Sequence, residues 1–194
     1  FLPVDRTLYA RSAYPELGFV LSASPFLYDN WYQTSYGYEI AVNGPTSVAV
    51  TGVTYGAGKW VAATSPGTTR DPYFIYKTDL SPMVPWNYSY ASNITGNDSI
   101  GFFGIDYFNN TFVAVGGNST SGVIQSSTDG ITWVSRTPDT TSFPFRAITH
   151  NSSLFVAGGG SNTSTVIQTS TDGITWTNRT PANTTSGIRS LTFG

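Results

Sequence analysis

The 194-residue chain lacks cysteine, has two lysines and one histidine, and carries charge on only 10% of its residues. The absence of cysteine excludes disulfides, thiolate catalysis and zinc-thiolate sites. A net charge of -2 leaves no basic surface for nucleic acid or an anionic membrane. No apolar run approaches the roughly 18 residues of a membrane span. These absences predict a protein with no cofactor, no metal site, no nucleic-acid partner and no membrane span.

Hydroxyl and amide side chains are abundant instead, with 28 Thr, 23 Ser and 12 Asn. Nine of the asparagines open an Asn-x-Ser/Thr triplet, whereas chance would place about three. The excess predicts covalent N-glycans and an extracellular or cell-surface location; the alternative is that Asn and Thr co-occur because both favour turns. The start at Phe1, without an initiator Met or a signal-peptide pattern, predicts a processed chain or a fragment. The predicted glycosylation sites are Asn87, Asn93, Asn97, Asn109, Asn118, Asn151, Asn162, Asn178 and Asn183.

An internal repeat runs along the chain. The segment 103–138 aligns with 146–181 without a gap, at an offset of 43 residues. A third copy upstream is about nine residues longer, and a divergent N-terminal repeat or cap precedes it. The predicted units are 1–47 for the divergent copy, then 48–99, 100–142 and 143–186, and the start of a further repeat at 187–194.

Each good copy contains four short strand-like stretches separated by turn residues. In the second unit they cover 103–107, 111–115, 122–127 and 132–136, and the Asp129-Gly130 and Asp172-Gly173 pairs indicate two-residue hairpins. The stretch 112–115 is apolar on both faces, as in a strand covered by neighbouring sheets. The repeat therefore predicts an all-β, β-propeller-like array of about four four-stranded repeats with a final unmatched strand.

The segments 127–133 and 170–176 read Ser-Thr-Asp-Gly-Ile-Thr-Trp, and they resemble the Asp-box, or BNR, repeat of β-propeller proteins. The form is one residue shorter than the usual Asp-box and is similar to that of microbial and phage surface proteins. The resemblance implies that the Ser and Asp side chains hold a tight turn and that the Trp packs between blades. The residues concerned are Ser127, Asp129, Gly130, Trp133, Ser170, Asp172, Gly173 and Trp176.

The sequence contains no recognisable catalytic constellation. Asp129 and Asp172 recur in register, and a residue that recurs in every repeat serves the repeat, because an active site is normally unique in a chain. Sialidases, the best-known Asp-box enzymes, need an arginine cluster and a Tyr/Glu pair. Here the arginines at 136 and 179, and at 146 and 189, recur in register and indicate scaffold roles, while both glutamates lie in the divergent first copy. His150 is predicted to lie in a solvated turn.

The predicted function is a non-enzymatic, glycosylated extracellular structural protein, a subunit of a filament, sheath or appendage that self-associates into a homopolymer through terminal strands. The alternative is a monomeric carbohydrate-binding, adhesin or tail-fibre module, and a sialidase-like glycoside hydrolase is a second alternative. Aromatic residues in the first copy form a possible sugar-stacking cluster, although core or interface packing is the favoured role for aromatic residues in such an array. That cluster comprises Tyr28, Trp31, Tyr32, Tyr36 and Tyr38.

Overall fold

A computed structural model of the chain describes residues 49–65, 71–78, 86–94, 99–180 and 186–194. These residues form twelve β-strands in three four-stranded antiparallel sheets, and the described ranges contain no helix. In every sheet the strands are hydrogen-bonded in chain order, so each sheet is a simple meander. The predicted all-β, propeller-like array is therefore confirmed, as an open array of three sheets in the described ranges. The predicted unit 1–47 lies outside the described residues.

The strands follow one another with short connections. The first sheet consists of β1 (Ala49–Gly56), β2 (Lys59–Ser65), β3 (Tyr73–Lys77) and β4 (Asn87–Tyr90). The second consists of β5 (Gly101–Phe108), β6 (Thr111–Gly117), β7 (Gly122–Ser127) and β8 (Val134–Arg136). The third consists of β9 (Phe145–His150), β10 (Phe155–Gly160), β11 (Thr165–Ser170) and β12 (Thr177–Asn178).

Turn chemistry explains where the first two strands of a sheet reverse. Asn109 and Asn110 connect β5 to β6 with φ of 47° and 63°. Asparagine tolerates this left-handed region because its side chain bonds to the local backbone, and two successive positive φ values match the twist of a tight hairpin. Ala57 and Gly58 form the corresponding turn between β1 and β2.

The connection between the last two strands is longer than predicted. A two-residue hairpin at Asp129-Gly130 is wrong, because β7 ends at Ser127 and β8 begins at Val134. The carboxylate of Asp129 accepts hydrogen bonds from the amides of Ile131 and Thr132, which removes those amides from the ladder. The same loop follows β11 in the third sheet.

The core lies between successive sheets. One buried cluster joins the first two sheets and includes Phe74, Phe102, Phe112 and Trp133; a second joins the last two and includes Phe145, Phe155 and Trp176. Residues 112–115 are all 0% exposed, as their two-sided apolar character predicts. Burial on both faces makes the second strand of a sheet its most protected element.

A β-bulge recurs at one place in the first strand of every sheet. The ladder between the first two strands shifts at Thr51 in the first sheet, at Phe103 in the second and at Arg146 in the third. First strands of successive sheets contact each other. The first strands together form one edge of the array, called the inner edge below. The bulges therefore place one side chain per sheet along this inner edge.

The final segment, 186–194, lies against the third sheet. The Ile188 amide donates a hydrogen bond to the Gly159 carbonyl oxygen, 3.0 Å away. A Cβ built on Gly158 would lie 3.1 Å from side-chain atoms of Ile188 and Leu191. The segment forms no strand ladder with the described residues, and the repeat offset gives it the position of the next first strand.

Candidate functional site

The Ser-Thr-Asp-Gly turn of the second sheet is organised by two side chains. Ser127 Oγ donates a hydrogen bond to Asp129 Oδ1 at 2.8 Å and accepts one from the Gly130 amide at 2.8 Å. Asp129 Oδ1 accepts the amides of Ile131 and Thr132 at 2.8 and 2.7 Å. Gly130 has a φ of 71°, a conformation that glycine adopts without steric cost.

The turn of the third sheet repeats this arrangement. Ser170 Oγ donates to Asp172 Oδ1 at 2.9 Å, and Asp172 Oδ1 accepts the amides of Ile174 and Thr175 at 2.8 and 2.9 Å. Gly173 also has a φ of 71°. The two motifs are therefore one structural device used twice.

These hydrogen bonds fix the charge of both carboxylates. Burial by itself would raise the pKa of Asp129, but the amides of Ile131 and Thr132 and the hydroxyls of Ser127 and Thr132 lower this pKa to about 2. For Asp172, burial is again outweighed by hydrogen bonds to the carboxylate, so its pKa is lowered as well. Each carboxylate is ionised at neutral pH and already occupied by its own turn, which suits a structural anion better than a proton donor.

Each turn also rests on the sheet that precedes it in the chain. A Cβ on Gly130 would lie 2.7 Å from Val61 Cγ2 of β2, and one on Gly173 would lie 2.7 Å from Val113 Cγ2 of β6. Lys59 Nζ donates a hydrogen bond to the Asp129 carbonyl oxygen at 2.7 Å. The turn is therefore a joint between sheets as well as a loop.

The tryptophans that close the two motifs lie in the same joints. Trp133 is 5% exposed and stacks on Phe74 of the first sheet, with ring centroids 3.7 Å apart. Trp176 is also 5% exposed and shares a buried cluster with Ile124 of the second sheet. The strand ladders give Phe74 and Ile124 the same position in their sheets.

Two buried glutamines form a further joint that the sequence analysis missed. Gln125 Oε1 accepts the Ser92 amide at 3.0 Å, and Gln125 Nε2 donates to the Ser92 carbonyl at 2.6 Å. Gln168, 43 residues later, accepts the Asp139 amide and donates to the Thr140 carbonyl, both at 3.0 Å. The sequence did contain a signal for this joint, namely that the two glutamines recur at the repeat offset within strand-like stretches. A polar side chain that recurs in such a place indicates a buried amide group with a fixed hydrogen-bond partner.

His150 is the last residue of β9, so the prediction that it lies in a solvated turn is wrong. Its Nδ1 is 2.7 Å from Asp106 Oδ2 of β5, and its ring stacks on Phe108 at a centroid distance of 4.9 Å. The first strands of adjacent sheets bring these residues together. The aligned position 43 residues after Asp106 is Thr149, so the repeat gave no indication of a partner for the histidine.

Seven of the nine predicted glycosylation sites fall within the described residues, whereas Asn97 and Asn183 lie outside them. Asn118 and Asn151 are half-buried. Their Oδ1 atoms accept backbone amides two or three residues ahead. The predicted glycosylation sites whose asparagine is exposed are Asn87, Asn93, Asn109, Asn162 and Asn178.

The predicted sugar-stacking cluster at 28–38 lies outside the described residues. An open groove of about 580 Å³ runs instead between the end of β8 and the third-sheet turn, lined by Arg136, Asp139, Thr175 and Trp176 among others. Across the described ranges no group of three or more His, Asp or Glu side chains is placed to hold a metal ion. Those ranges also contain no apolar helix of membrane-spanning length.

Exposed apolar side chains lie at both ends of the part of the array that the structure describes. In β1, Val50, Val53 and Tyr55 are 47%, 55% and 55% exposed. The residues in the corresponding places of β5 that face the first sheet, Phe102 and Ile105, are 0% and 8% exposed. At the other end, Phe193 is 63% exposed.

No protein-family model and no curated protein matches the chain. Among solved structures it is similar to a Bombyx mori GH32 β-fructofuranosidase, BmSUC1, as a point mutant in complex with sucrose. That match has a TM-score of 0.45 and 14% identity, and it covers 88% of this chain and 42% of the other. A second BmSUC1 structure has a TM-score of 0.41 and 12% identity, with 77% and 40% covered.

The computationally designed Ika8 protein is also similar, with a TM-score of 0.40 and 14% identity, and with 78% of this chain and 54% of that chain covered. The chain thus spans about half the length of the structures that it matches.

Proposed function

We propose that the protein is a non-enzymatic, N-glycosylated extracellular structural protein, a subunit of a filament, sheath or appendage. Copies of the chain join head to tail through the two ends of the array. The observation that carries the proposal is the contrast between Val53, 55% exposed in β1, and Ile105, 8% exposed at the matching place in β5.

The first sheet supplies one half of such a contact. Among the described residues, no preceding sheet covers the β1 face formed by Val50, Val53 and Tyr55, whereas the first sheet covers the matching face of β5. The face is apolar, and burying apolar surface favours association by roughly 25 cal/mol per Å². It is therefore suited to receive a sheet of the same kind.

The final segment supplies the other half. Residues 186–194 occupy the place of a first strand and carry Ile188 and Leu191 against the third sheet. Among the described residues this segment forms no strand ladder, so its backbone groups can take part in strand addition by another chain. Because the two ends are different surfaces, their contact is heterologous, and a heterologous contact that does not close into a ring produces a fibre.

Glycans support the same arrangement. The exposed acceptor Asn109 lies in the β5–β6 turn, and the exposed acceptor Asn178 lies in the outer strand β12. Sugars on turns and outer strands would shield the sides of a fibre and leave its ends for assembly.

The test is negative-stain electron microscopy of the concentrated full chain, with one charged substitution at the proposed contact. Val53→Asp places a carboxylate on the β1 face, and we expect it to abolish filaments while leaving the fold intact, since Val53 is already 55% exposed. Val134→Asp is the matched control, because Val134 is 44% exposed on the outer strand β8. We expect the control to form filaments.

Dispersed monomers of the unmodified chain at high concentration would contradict assembly, and so would filaments that are equally abundant in both variants. Turnover of a fluorogenic sialoside or glycoside would contradict the non-enzymatic part of the proposal.

The second candidate is a carbohydrate-binding module, favoured by the groove beside β8. Arg136, Asp139 and Thr175 present charged and hydroxyl groups there beside the exposed Ile174 side chain, a combination suited to the hydroxyls and the apolar face of a sugar. Binding on a glycan array that is lost on Asp139→Ala would support this candidate, and the absence of binding on a broad array would contradict it.

A further inference from the structure

The bulge residues of successive sheets meet along the inner edge of the array. Thr51 Oγ1 donates a hydrogen bond to the Phe102 carbonyl oxygen of the next sheet at 2.6 Å. The Arg146 guanidinium lies over the Phe103 ring, 4.5 Å from its centroid. Arg189, 43 residues after Arg146, follows Ile188, whose amide bonds the Gly159 carbonyl oxygen, and Gly159 pairs with Phe145 next to Arg146. The two arginines therefore lie on neighbouring backbone segments.

The chemistry of this row changes from sheet to sheet, from a hydroxyl through an aromatic ring to two cations. A side chain that every repeat requires would be the same in each copy. Thr51 and Phe103 show that the bulge needs no arginine. The expectation that Arg146 and Arg189 are scaffold residues is therefore not supported by the bulge itself.

Among the residues that the structure describes, neither arginine has an ion-pair partner. Burial, and then the positive charge of Arg189, lower the pKa of Arg146. Within the described residues no carboxylate lies within 4.0 Å of either guanidinium, and the ion pair found there joins His150 and Asp106. Two neighbouring cations repel each other unless an anion lies between or beside them.

N–H groups of both arginines also lack strong acceptors among the described residues. Arg146 Nε is buried and has no acceptor among the described residues. Arg189 Nη2 has only the neutral Asn162 Oδ1, at 3.2 Å, as a partner in the same ranges. By contrast, Nε of Arg136 and of Arg179 each donates to a hydroxyl of the neighbouring strand, at 2.7 and 3.3 Å.

We propose that Arg146 and Arg189 form a binding site for an oxyanion, a carboxylate or a sulfate group, at the inner edge of the third sheet. The Phe103 ring occupies one face of the Arg146 guanidinium, and Arg146 as a whole is only half-buried, so its Nη donors can reach a ligand. The donor fork of arginine matches two oxygen atoms of one anionic group. An anion that bridges the Nη groups of both arginines relieves their repulsion.

The test follows the arginine Nε–Hε signals in ¹H–¹⁵N spectra of the full chain. Sodium sulfate and sodium glucuronate are titrated separately, with sodium chloride keeping the ionic strength constant. Loss of one signal in Arg146→Lys assigns Arg146. We expect a saturable shift of that signal with at least one of the two probes, and the probe that saturates distinguishes a sulfate from a carboxylate.

Two charge-matched variants separate a built site from general attraction of anions. Arg189→Gln should weaken binding about tenfold or more, since a charged hydrogen bond and a full charge are lost. Arg179→Gln removes the same charge just after the outer strand β12, where Arg179 Nε donates to Thr169 Oγ1, and should leave the titration unchanged. A shift that grows linearly without saturation for both probes, or an equal loss of affinity in both variants, would overturn the proposal.

Discussion

The carboxamide of Gln125 forms two hydrogen bonds with the backbone of Ser92, 33 residues earlier, in the turn that follows the first sheet. Gln125 is 0% exposed, so this pair is a fixed part of the junction between the first two sheets. Gln168 forms the equivalent pair one sheet later.

Gln125→Leu should lower the free energy of unfolding by about 1–3 kcal/mol, because it leaves the Ser92 amide and carbonyl without partners in a mostly buried place. Gln168→Leu should have a similar effect. Denaturant unfolding curves measure both changes. A variant more stable than the parent chain would show that the hydrogen bonds contribute less than an apolar side chain of similar size.

Gly130→Ala should destabilise the chain more than Gly58→Ala does. Both glycines have nearly the same φ, 71° and 73°, so both substitutions carry the same backbone strain, about 1 kcal/mol. The new methyl group at position 130 meets Val61 at 2.7 Å, whereas position 58 has nothing within 4 Å. The difference between the two unfolding free energies therefore measures the contact between sheets. Equal losses would show that the turn does not press on the first sheet.

Asp129→Asn should remove part of the acid sensitivity of folding. The folded-state pKa of Asp129, about 2, lies below its ordinary value of 3.8. Ionised Asp129 therefore stabilises the folded chain above about pH 4, and this contribution disappears as the pH falls through about 2. Because partial exposure screens the interaction, we expect it to be about 1–2 kcal/mol.

The measurement for Asp129 is the stability difference between the parent chain and Asp129→Asn at pH 7 and at pH 2.5. The difference should shrink at the lower pH. The exposed Asp71, changed to Asn, serves as the control. A difference that does not change with pH would contradict the stabilised carboxylate.

Asn109→Gln should remove one glycan from the chain when it is expressed in a host that performs N-glycosylation. Asn109 is exposed in the tip of the β5–β6 turn, where an enzyme can reach it. Asn110→Gln, at the next position of the same turn, leaves the triplet of Asn109 intact as an Asn-x-Thr acceptor. Intact mass should therefore fall by one glycan in the first variant and not in the second. Identical glycan masses in both would contradict the prediction for this site.

The sequence predicted those features that each repeat specifies by itself. The offset of 43 residues and the strand-like stretches anticipated the strands of the second sheet, including Gly122–Ser127 with its observed bounds. The Asp-Gly loop was predicted too short, because the carboxylate that accepts two loop amides acts through its side chain and leaves no mark on apolar periodicity.

Contacts between sheets could not be predicted in the same way. That Arg146 meets Phe103, or that His150 meets Asp106, depends on how neighbouring sheets stack, and side chains from different repeats have no fixed spacing in the chain. Gln125 was the exception, since its recurrence at 168 could have indicated a buried role.

Both Ser-Thr-Asp-Gly turns make their contacts in the same direction along the chain, because each turn packs on the sheet that comes before it in the sequence. During synthesis, the second strand of a sheet leaves the ribosome before the turn that will dock on it. Every new sheet therefore finds its docking surface already made, and the described array can fold in the order in which it is translated.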